Sequence, residues 1–346
     1  MHVPDGFINA PVSAVAGVVA AGAVAVSLRG ARRELDERTA PLAGLVAAFV
    51  FAVQMLNFPV AAGTSGHLLG GALAAILVGP WTGVLCIAVV LLMQGVLFAD
   101  GGLTALGVNI DVMGVVTVVT AYALFRGLVL VLPRTRRSVT LASFVAALVS
   151  VPASAAAFTL VYAVGGTTDV PLGKVLTAMV GVHVLIGIGE AVITMLTVGA
   201  VLAVRPDLVY GARGLTAPLK LRVGGELVDA APATPAAPAS VGSPRKLWIG
   251  GVVTALVLAG FVSFYASASP DGLEKVAADQ GIDAKAEEYE HATADSPLAD
   301  YGVRGVDAER LSGGLAGVIG VGATLAAGTG VFLVVRRRRT AAAESA

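Results

Sequence analysis

The chain has little of what soluble enzymes commonly use for chemistry. Its 346 residues include a single cysteine, Cys86, which lies in an apolar run and so excludes a disulfide framework or a cysteine-based metal site. The sequence G-x-x-x-x-G-K-[ST] does not occur, so we do not expect the chain to hydrolyse ATP. The absence of H-E-x-x-H argues against an intramembrane zinc peptidase, and no basic-aromatic patch indicates nucleic-acid binding.

Apolar runs make up most of the chain. Hydrophobic residues account for 56% of it and charged residues for only 13%, and several runs approach the roughly 20 residues that a helix needs to cross a bilayer. We therefore predict an all-α polytopic membrane protein, with a seven-segment bundle followed by a two-helix transmembrane hairpin that carries an extracytoplasmic loop. The nine apolar segments are residues 12–28, 42–57, 68–78, 82–98, 105–125, 139–164, 175–204, 247–267 and 315–335.

Positive charge is segregated along the chain and indicates its orientation. Basic residues favour the cytoplasmic ends of membrane helices. If all nine segments cross the plasma membrane, the four basic clusters fall on one side, with the N-terminus outside the cell and the C-terminus in the cytoplasm. The third segment, 68–78, is the weak point of this topology because it has only 11 residues. The clusters lie at 29–38, 134–137, 245–246 and 336–339.

The start of the chain, MHVPDGF, offers an unusual set of nitrogen ligands. The amine of Met1, the backbone nitrogen of His2 and the near ring nitrogen of His2 can bind one ion through two fused chelate rings. Planar nitrogen ligation favours Ni(II) or Cu(II), with Co(II) possible, and it leaves one equatorial position open. No basic residue precedes the first apolar run, so this run differs from a secretory signal and we expect the start to be retained. The alternative is a frayed terminus with an idle histidine.

A second histidine stands where a loop enters an apolar segment. His67 lies in GTSGHLLGG at 63–71, and the flanking glycines permit close approach of the backbone. A histidine at a membrane border is commonly a structural hydrogen-bonding group. On the same face as His2, however, His67 is the natural fourth nitrogen of the plane.

These motifs carry a family resemblance. The opening MHVPDGFI, the GTSGHLLGG stretch and the segment 183–194 resemble the CbiM/NikM family at matching positions over residues 1–204. Members of that family are the substrate-binding membrane subunits (S components) of energy-coupling-factor transporters for cobalt and nickel. The resemblance implies that Met1, His2 and His67 hold Ni²⁺ or Co²⁺ in a square plane as transported substrate, without a catalytic cofactor. It also implies two kinds of partner, a transmembrane coupling (T) subunit and paired cytoplasmic ATPase (A) subunits.

The C-terminal part of the chain carries a different motif. An Ala/Pro-rich stretch at 205–246 predicts a cytoplasmic linker between a metal-binding domain at 1–204 and a second unit at 247–346. PDGLEKVA at 270–277 is similar to the PDGLE domain of the accessory (N) component, which is often fused to the S component. The loop at 269–312 is acidic, and 283–291 could form a short acidic helix; plain solvation is the alternative to metal capture there.

Several polar residues interrupt the apolar segments and should face the bundle interior. Asn57, Asn109 and Asp111 are candidates to hydrogen-bond the far ring nitrogens of the two ligand histidines and so fix their orientation. Position 111 often carries Asn in the family, so Asp111 is a departure. His183 and Glu190 lie two turns apart on one helix, where hydrogen bonding between helices is the favoured role.

The sequence thus predicts a non-enzymatic transporter subunit that captures Ni²⁺ or Co²⁺ for nickel enzymes or cobalamin biosynthesis. A passive metal-selective channel is the alternative, and it would need a continuous polar path through the bilayer. An enzyme of cobalamin synthesis is disfavoured, because no nucleophile–base arrangement or cofactor motif is present. Planar nitrogen ligation and the fused PDGLE arrangement both favour nickel over cobalt without deciding between them.

Overall fold

The computed structural model describes residues 1–36, 39–61, 63–213, 220–223, 226–229, 245–283 and 291–344. Its helices are α1 (Ala10–Glu34), α2 (Thr39–Gln54), α3 (Gly71–Val78), α4 (Pro80–Leu97), α5 (Leu106–Asn109), α6 (Thr117–Val131), α7 (Arg136–Gly165), α8 (Leu172–Val204), α9 (Arg245–Gly260), α10 (Gly272–Gln280) and α11 (Glu309–Glu344). Two antiparallel hairpins accompany them, β1 (Phe58–Ala61) with β2 (Thr64–Gly66) and β3 (Lys220–Val223) with β4 (Glu226–Asp229).

The predicted polytopic helical architecture is confirmed. Within the described residues, seven helices are long and apolar enough to cross a membrane: Ala10–Glu34, Pro80–Leu97, Leu106–Val131, Arg136–Gly165, Leu172–Val204, Arg245–Tyr265 and Glu309–Arg337. The apolar helix α2 is shorter, at 16 residues. A π-helical turn, Ile110–Val116, joins α5 to α6.

The third predicted segment is not a full-length helix. Helix α3 has only 8 residues and is about 12 Å long. The chain nevertheless passes from one end of the bundle to the other here, because His67 lies beside Met1 whereas Gly79 lies against Glu34 at the end of α1. Glu34 also accepts the backbone N–H of Thr82 at 2.7 Å, so α4 begins at this Glu34 end and returns toward Met1.

The second unit packs against the first through glycines. A Cβ atom on Gly44 of α2 would lie 2.2 Å from Thr329 Oγ1, and one on Gly320 of α11 would lie 2.2 Å from Phe51 Cζ. The two helices therefore run antiparallel in close contact, and large side chains at either glycine would force them apart. Helix α11 approaches α9 in the same manner at Gly317.

The packed bundle extends beyond the expected boundary at residue 204. Two 3₁₀ turns, Pro206–Leu208 and Tyr210–Ala212, bury Val209 fully against the bundle. The hairpin β3–β4 then occupies part of the region predicted as a linker. The Ala/Pro-rich stretch itself lies outside the described residues, as does most of the acidic helix expected at 283–291.

Candidate metal centre

The N-terminal residues lie inside the bundle and are not frayed. Met1 is 3% exposed and Val3 is fully buried. The side chain of Asn109, just before the π-helical turn, holds both polar groups of Val3: its Oδ1 accepts the backbone N–H at 2.7 Å, and its Nδ2 donates to the carbonyl at 3.1 Å. The N–H of Gly102 donates to the same carbonyl at 2.9 Å. These contacts satisfy the backbone of the buried terminus and fix the position of its amine.

The terminal amine meets His67, as the sequence predicted for a common face. The nitrogen of Met1 lies 2.8 Å from His67 Nε2. The other ring nitrogen of His67 lies 3.0 Å from the carbonyl oxygen of Leu68, and only a protonated Nδ1 can make that hydrogen bond. The lone pair of His67 is therefore on Nε2 and points toward the amine, which is the tautomer that a metal ligand requires.

His2 lies against His67, with their ring centroids 5.1 Å apart and the planes inclined by 21°. Its Nδ1 is 3.3 Å from Asp100 Oδ1, and its Nε2 is 3.2 Å from Gln94 Oε1. Burial lowers the pKa of His2 to about 4, although Asp100 raises it, so the ring is neutral near pH 7. A neutral ring cannot donate to both oxygens. Gln94 Nε2 has no hydrogen-bond partner. Turning the Gln94 side-chain amide by 180° would let its Nε2 donate to His2 Nε2, while His2 Nδ1 donates to Asp100.

A carboxylate from the second unit completes the cluster, and sequence reasoning missed it. Asp271 Oδ2 lies 2.5 Å from the Met1 amine and 3.5 Å from His67 Nε2. Its Oδ1 accepts the N–H of Glu274 at 2.9 Å and caps α10, and the Glu274 side chain accepts the N–H of Asp271 in return. Although burial raises the pKa of Asp271, the Met1 ammonium and His67 hold it well below its usual range.

The loop that carries Asp271 is docked on the His67 loop. The backbone N–H of Ser65 donates to Pro270 O at 2.8 Å, and its hydroxyl donates to Ser269 O at 2.7 Å. Gly272 lies so close to α8 that a Cβ atom would meet Ile186 Cδ1 at 2.8 Å. The Pro-Asp-Gly sequence therefore suits the contact in two ways, since Asp caps the helix and Gly permits the close approach. The motif signalled a helix start, but nothing in its spacing indicated Met1 as the partner.

His183 and Glu190 do not join two helices as expected. Glu190, fully buried on α8, accepts the backbone N–H groups of Leu69 and Gly70 at 2.7 and 3.1 Å, and so supports the loop directly after His67. His183 donates from Nδ1 to the carbonyl of Met179 within its own helix at 2.7 Å, while its buried Nε2 has no partner.

The three candidates for orienting the histidine rings take other positions. Asn109 binds the backbone of Val3, as described above. Asn57 accepts the N–H of Ser267 through its backbone, and its side-chain Oδ1 has no hydrogen-bond partner. Asp111 Oδ1 also lacks one. The far ring nitrogens instead meet Gln94, at His2 Nε2, and the Leu68 carbonyl, at His67 Nδ1. The chain turn at 98–101 brings Asp100 beside the near ring nitrogen of His2.

The second unit also holds this turn. The hydroxyl of Tyr301 donates to Asp100 Oδ2 at 2.5 Å, and His291 Nε2 donates to the carbonyl of Gly101 at 3.0 Å. Tyr301 has a φ of +55°, which is uncommon for a bulky residue and is maintained here by its surroundings. Between the two units lies a cavity of about 990 Å³ that reaches both His2 and His67 and is lined by acidic residues, including Glu274 and Glu309.

Comparison with known families identifies the family of the chain. Residues 2–208 match the family model described as the cobalt uptake substrate-specific transmembrane region, CbiM. The chain belongs to the CbiM family. Residues 245–337 match the PDGLE domain, so this CbiM chain is fused to a PDGLE unit, as its sequence motifs predicted.

Curated relatives of this CbiM chain are named for metal transport. A protein of Haloquadratum walsbyi with such a name is 39% identical over 210 residues, which cover 61% of this chain and 94% of the relative. The fused nickel transport protein NikMN of Rhodobacter capsulatus is 42% identical over 125 residues, or 36% of each chain. The cobalt transport protein CbiM of Sorangium cellulosum is 34% identical over 215 residues, covering 60% and 94%.

Solved structures agree with this assignment. The crystal structure of a truncated transition metal transporter is 30% identical, with a TM-score of 0.51, and the match covers 59% of this chain and 99% of that one. A second transition metal transporter structure is 29% identical with the same TM-score, covering 62% and 100%. The chain is therefore a multi-pass membrane protein of the nickel and cobalt transport family.

Proposed function

We propose that the chain is the substrate-capture subunit of an energy-coupling-factor uptake transporter, and that its cargo is Ni²⁺ or Co²⁺. The observation that carries the proposal is the buried amine of Met1. Its nitrogen lies 2.8 Å from His67 Nε2, and the His67 ring stacks on that of His2. Burial of a chain terminus is costly unless its charge is paired. Here Asp271 pairs the charge, and two imidazoles lie beside it as further ligands for an ion that replaces the ammonium proton.

In the metal-bound state, four nitrogens would lie in one plane around the ion. Three are consecutive along the chain, namely the Met1 amine, the His2 backbone nitrogen and His2 Nδ1, and His67 Nε2 takes the fourth corner. The His2 ring must then exchange its contact with Asp100 for the ion. Such a plane favours Ni(II) over Co(II) by geometry and by the order of metal affinities.

The capture site would open to the outside of the cell. With the four basic clusters in the cytoplasm, the end of the bundle that holds Met1 is extracytoplasmic and the C-terminus is inside. We place a metal-binding domain at 1–204, a cytoplasmic linker at 205–246 and the PDGLE unit at 247–346. Because the chain lacks a nucleotide-binding motif, a T subunit and paired ATPases would supply the energy that releases the ion inward.

The PDGLE unit would help to load the site. Its loop touches the β1–β2 hairpin through Ser65 and the His2 side through Tyr301 and Asp100, and the cavity between the units reaches both ligand histidines. Acidic groups along this cavity attract a divalent cation. A chain lacking residues 247–346 should then take up metal more slowly, and uptake at an unchanged rate would contradict a loading role.

The capture site is tested by equilibrium titration of the purified full chain with Ni²⁺ and Co²⁺. We expect one ion per chain and a severe loss of affinity in His67→Ala, while His291→Ala, which removes an imidazole that contacts the 98–101 turn but is not a proposed ligand, should change affinity far less. If His67→Ala holds nickel as well as the wild-type chain does, His67 is not a ligand.

Energy coupling is tested by transport into liposomes. Uptake should require the T subunit, both ATPases and ATP. Uptake by the chain alone, without ATP, would instead support a passive metal-selective channel.

A further inference from the structure

We propose that Asp271 is itself a ligand of the transported cation, supplying an axial carboxylate oxygen above the plane of four nitrogens when the PDGLE loop is docked. This inference rests on the proposed function. It assigns to the second unit a part of the site that the four nitrogens do not provide.

The distances fit mutually adjacent ligand atoms. The Met1 nitrogen, His67 Nε2 and Asp271 Oδ2 form a triangle with sides of 2.8, 2.5 and 3.5 Å. Two ligand atoms about 2.1 Å from one ion and at right angles to each other lie about 3 Å apart. In the planar arrangement the amine and His67 occupy neighbouring corners, and all four corners are taken by nitrogens. An oxygen adjacent to both must therefore be axial.

Charge balance favours coordination of the bound ion by the Asp271 carboxylate. A nitrogen that binds a cation uses the lone pair that the ammonium proton holds, so the ion replaces the proton as the positive partner of Asp271. A divalent ion with one deprotonated backbone amide leaves one positive charge among neutral nitrogens. Burying that charge unpaired is costly, and so is leaving Asp271, 7% exposed, without a partner. Coordination removes both costs.

The protein also fixes the direction of the carboxylate. Asp271 Oδ1 is engaged by the N–H of Glu274 at the start of α10, which leaves Oδ2 directed at the amine. The backbone on either side is held by Ser65 and by the contact of Gly272 with α8. A ligand on a docked loop is present only while the loop is docked, so withdrawal of the loop would return the ion to four-coordinate geometry.

The test compares nickel geometry in the full chain and in two variants. Asp271→Ser keeps a residue that caps helices well but is too short to reach the ion, and Asp279→Asn changes an exposed carboxylate on the same helix. X-ray absorption at the nickel edge distinguishes a square-planar ion from one with an axial ligand, and magnetic susceptibility gives the same distinction. Limited proteolysis of the outer loop reports whether the loop remains docked.

We expect wild type and Asp279→Asn to give a five-coordinate, paramagnetic ion, and Asp271→Ser to give a planar, diamagnetic one. Nickel affinity should fall about tenfold or more in Asp271→Ser, the scale known for losing a supporting group in metal sites. Cobalt affinity should fall further than nickel affinity, because Co(II) depends less on planar geometry. If all three chains bind nickel with the same planar spectrum, the axial ligand is refuted while the capture site stands. If wild type binds no metal, the proposed function fails as well.

Discussion

The two side chains that meet the terminal amine are supported in different ways. His67 belongs to a loop held from within the first unit, by Glu190 on the backbone of Leu69 and by Gln54 Nε2 on the Leu69 carbonyl at 2.9 Å. Asp271 arrives from a loop 204 residues further along the chain. This loop and α10 meet the first unit through hydrogen bonds to Ser65, a close glycine and a short buried apolar face of α10. The nitrogen ligand is thus positioned by the bundle, whereas the oxygen depends on docking. Changes on the His67 side should alter affinity alone, whereas changes on the Asp271 side should also alter access to the amine and the geometry of the bound ion.

The largest effect should come from blocking the Met1 amine, because it contacts both His67 and Asp271. One pyroglutamate added before Met1 converts the amine into an amide, eliminates both the nitrogen ligand and the ion pair with Asp271, and offers no free amine of its own for a new chelate. Because losing an outer-shell group alone costs 10–100-fold in metal affinity, we expect a loss of more than about 100-fold, measured by nickel titration. Cleaving the added residue to regenerate Met1 should restore binding. Undiminished affinity in the extended chain would refute the chelate.

Proton release should identify the groups that the ion displaces. The amine and the His2 amide each lose a proton on binding, about two per ion. The His2 ring adds none above about pH 5, since burial lowers its pKa to about 4. Nickel affinity should therefore fall as pH decreases, with a slope of about two protons per ion. Calorimetry in buffers of different ionisation enthalpy counts the protons, and binding that is independent of pH would contradict the model.

The support of the His67 side can be tested with a matched pair of buried carboxylates. Glu190 accepts backbone N–H groups beside His67, and Glu34 accepts those of Trp81 and Thr82 at the other end of the bundle. Replacing either by glutamine places an N–H₂ group against a donor and should destabilise the fold by about 1–3 kcal/mol. Nickel affinity should fall about tenfold in Glu190→Gln only, as titration and thermal unfolding together can show. Equal affinity losses in both would mean that the effect is one of general stability.

The docking of the Asp271 side can be tested at its glycine. Gly272→Ala introduces a methyl group 2.8 Å from Ile186 Cδ1, whereas a Cβ atom on Gly250 of α9 would meet no atom within 4 Å. A crowded contact of this kind costs about 1 kcal/mol at the lower end, or about fivefold in the ratio of docked to undocked loop. The Met1 amine should therefore react faster with an acylating reagent in metal-free Gly272→Ala, as mass spectrometry of the N-terminal peptide would detect. Gly250→Ala should match wild type, and an equal rate in all three would show that the loop does not cover the amine.

The sequence was sufficient for the architecture because hydropathy and motif position both depend on short stretches. Long apolar runs predicted the helices, and the MHVPDGF start with GTSGHLLGG predicted that Met1 and His67 share a face. The third segment was less predictable, because a short helix after an extended loop crosses the bundle with fewer apolar residues than a continuous helix needs.

The contacts around the ligands were not predictable to the same degree. Asp271 and Asp100 reach the site because separate loops converge there, and no local pattern reports which distant backbone a carboxylate will face. The same applies to Asn109, expected at a ring nitrogen but found on the Val3 backbone, since its partner lies 106 residues away in sequence. The sequence marks the polar residues that interrupt the apolar segments, whereas identifying their partners required the fold.

The smallest effect should come from the second contact of the PDGLE unit, at Tyr301. Burial and the neighbouring Asp100 raise the pKa of Tyr301 well above its ordinary value, so its hydroxyl keeps its proton and donates to Asp100, which in turn lies on His2 Nδ1. Tyr301→Phe removes this donor, but Asp100 is exposed enough for water to replace it, so the change should be at most about 1 kcal/mol. Because the His2 ring leaves Asp100 to bind the ion, a looser contact should raise nickel affinity, by up to about fivefold. The His2 ring should also become less ordered, which NMR of labelled histidine can measure in the metal-free chain. Tyr265→Phe, at a tyrosine that is 73% exposed, is the control. If neither affinity nor the His2 signals change, the turn at 98–101 holds Asp100 by itself, and the second unit acts on the metal centre only through Asp271.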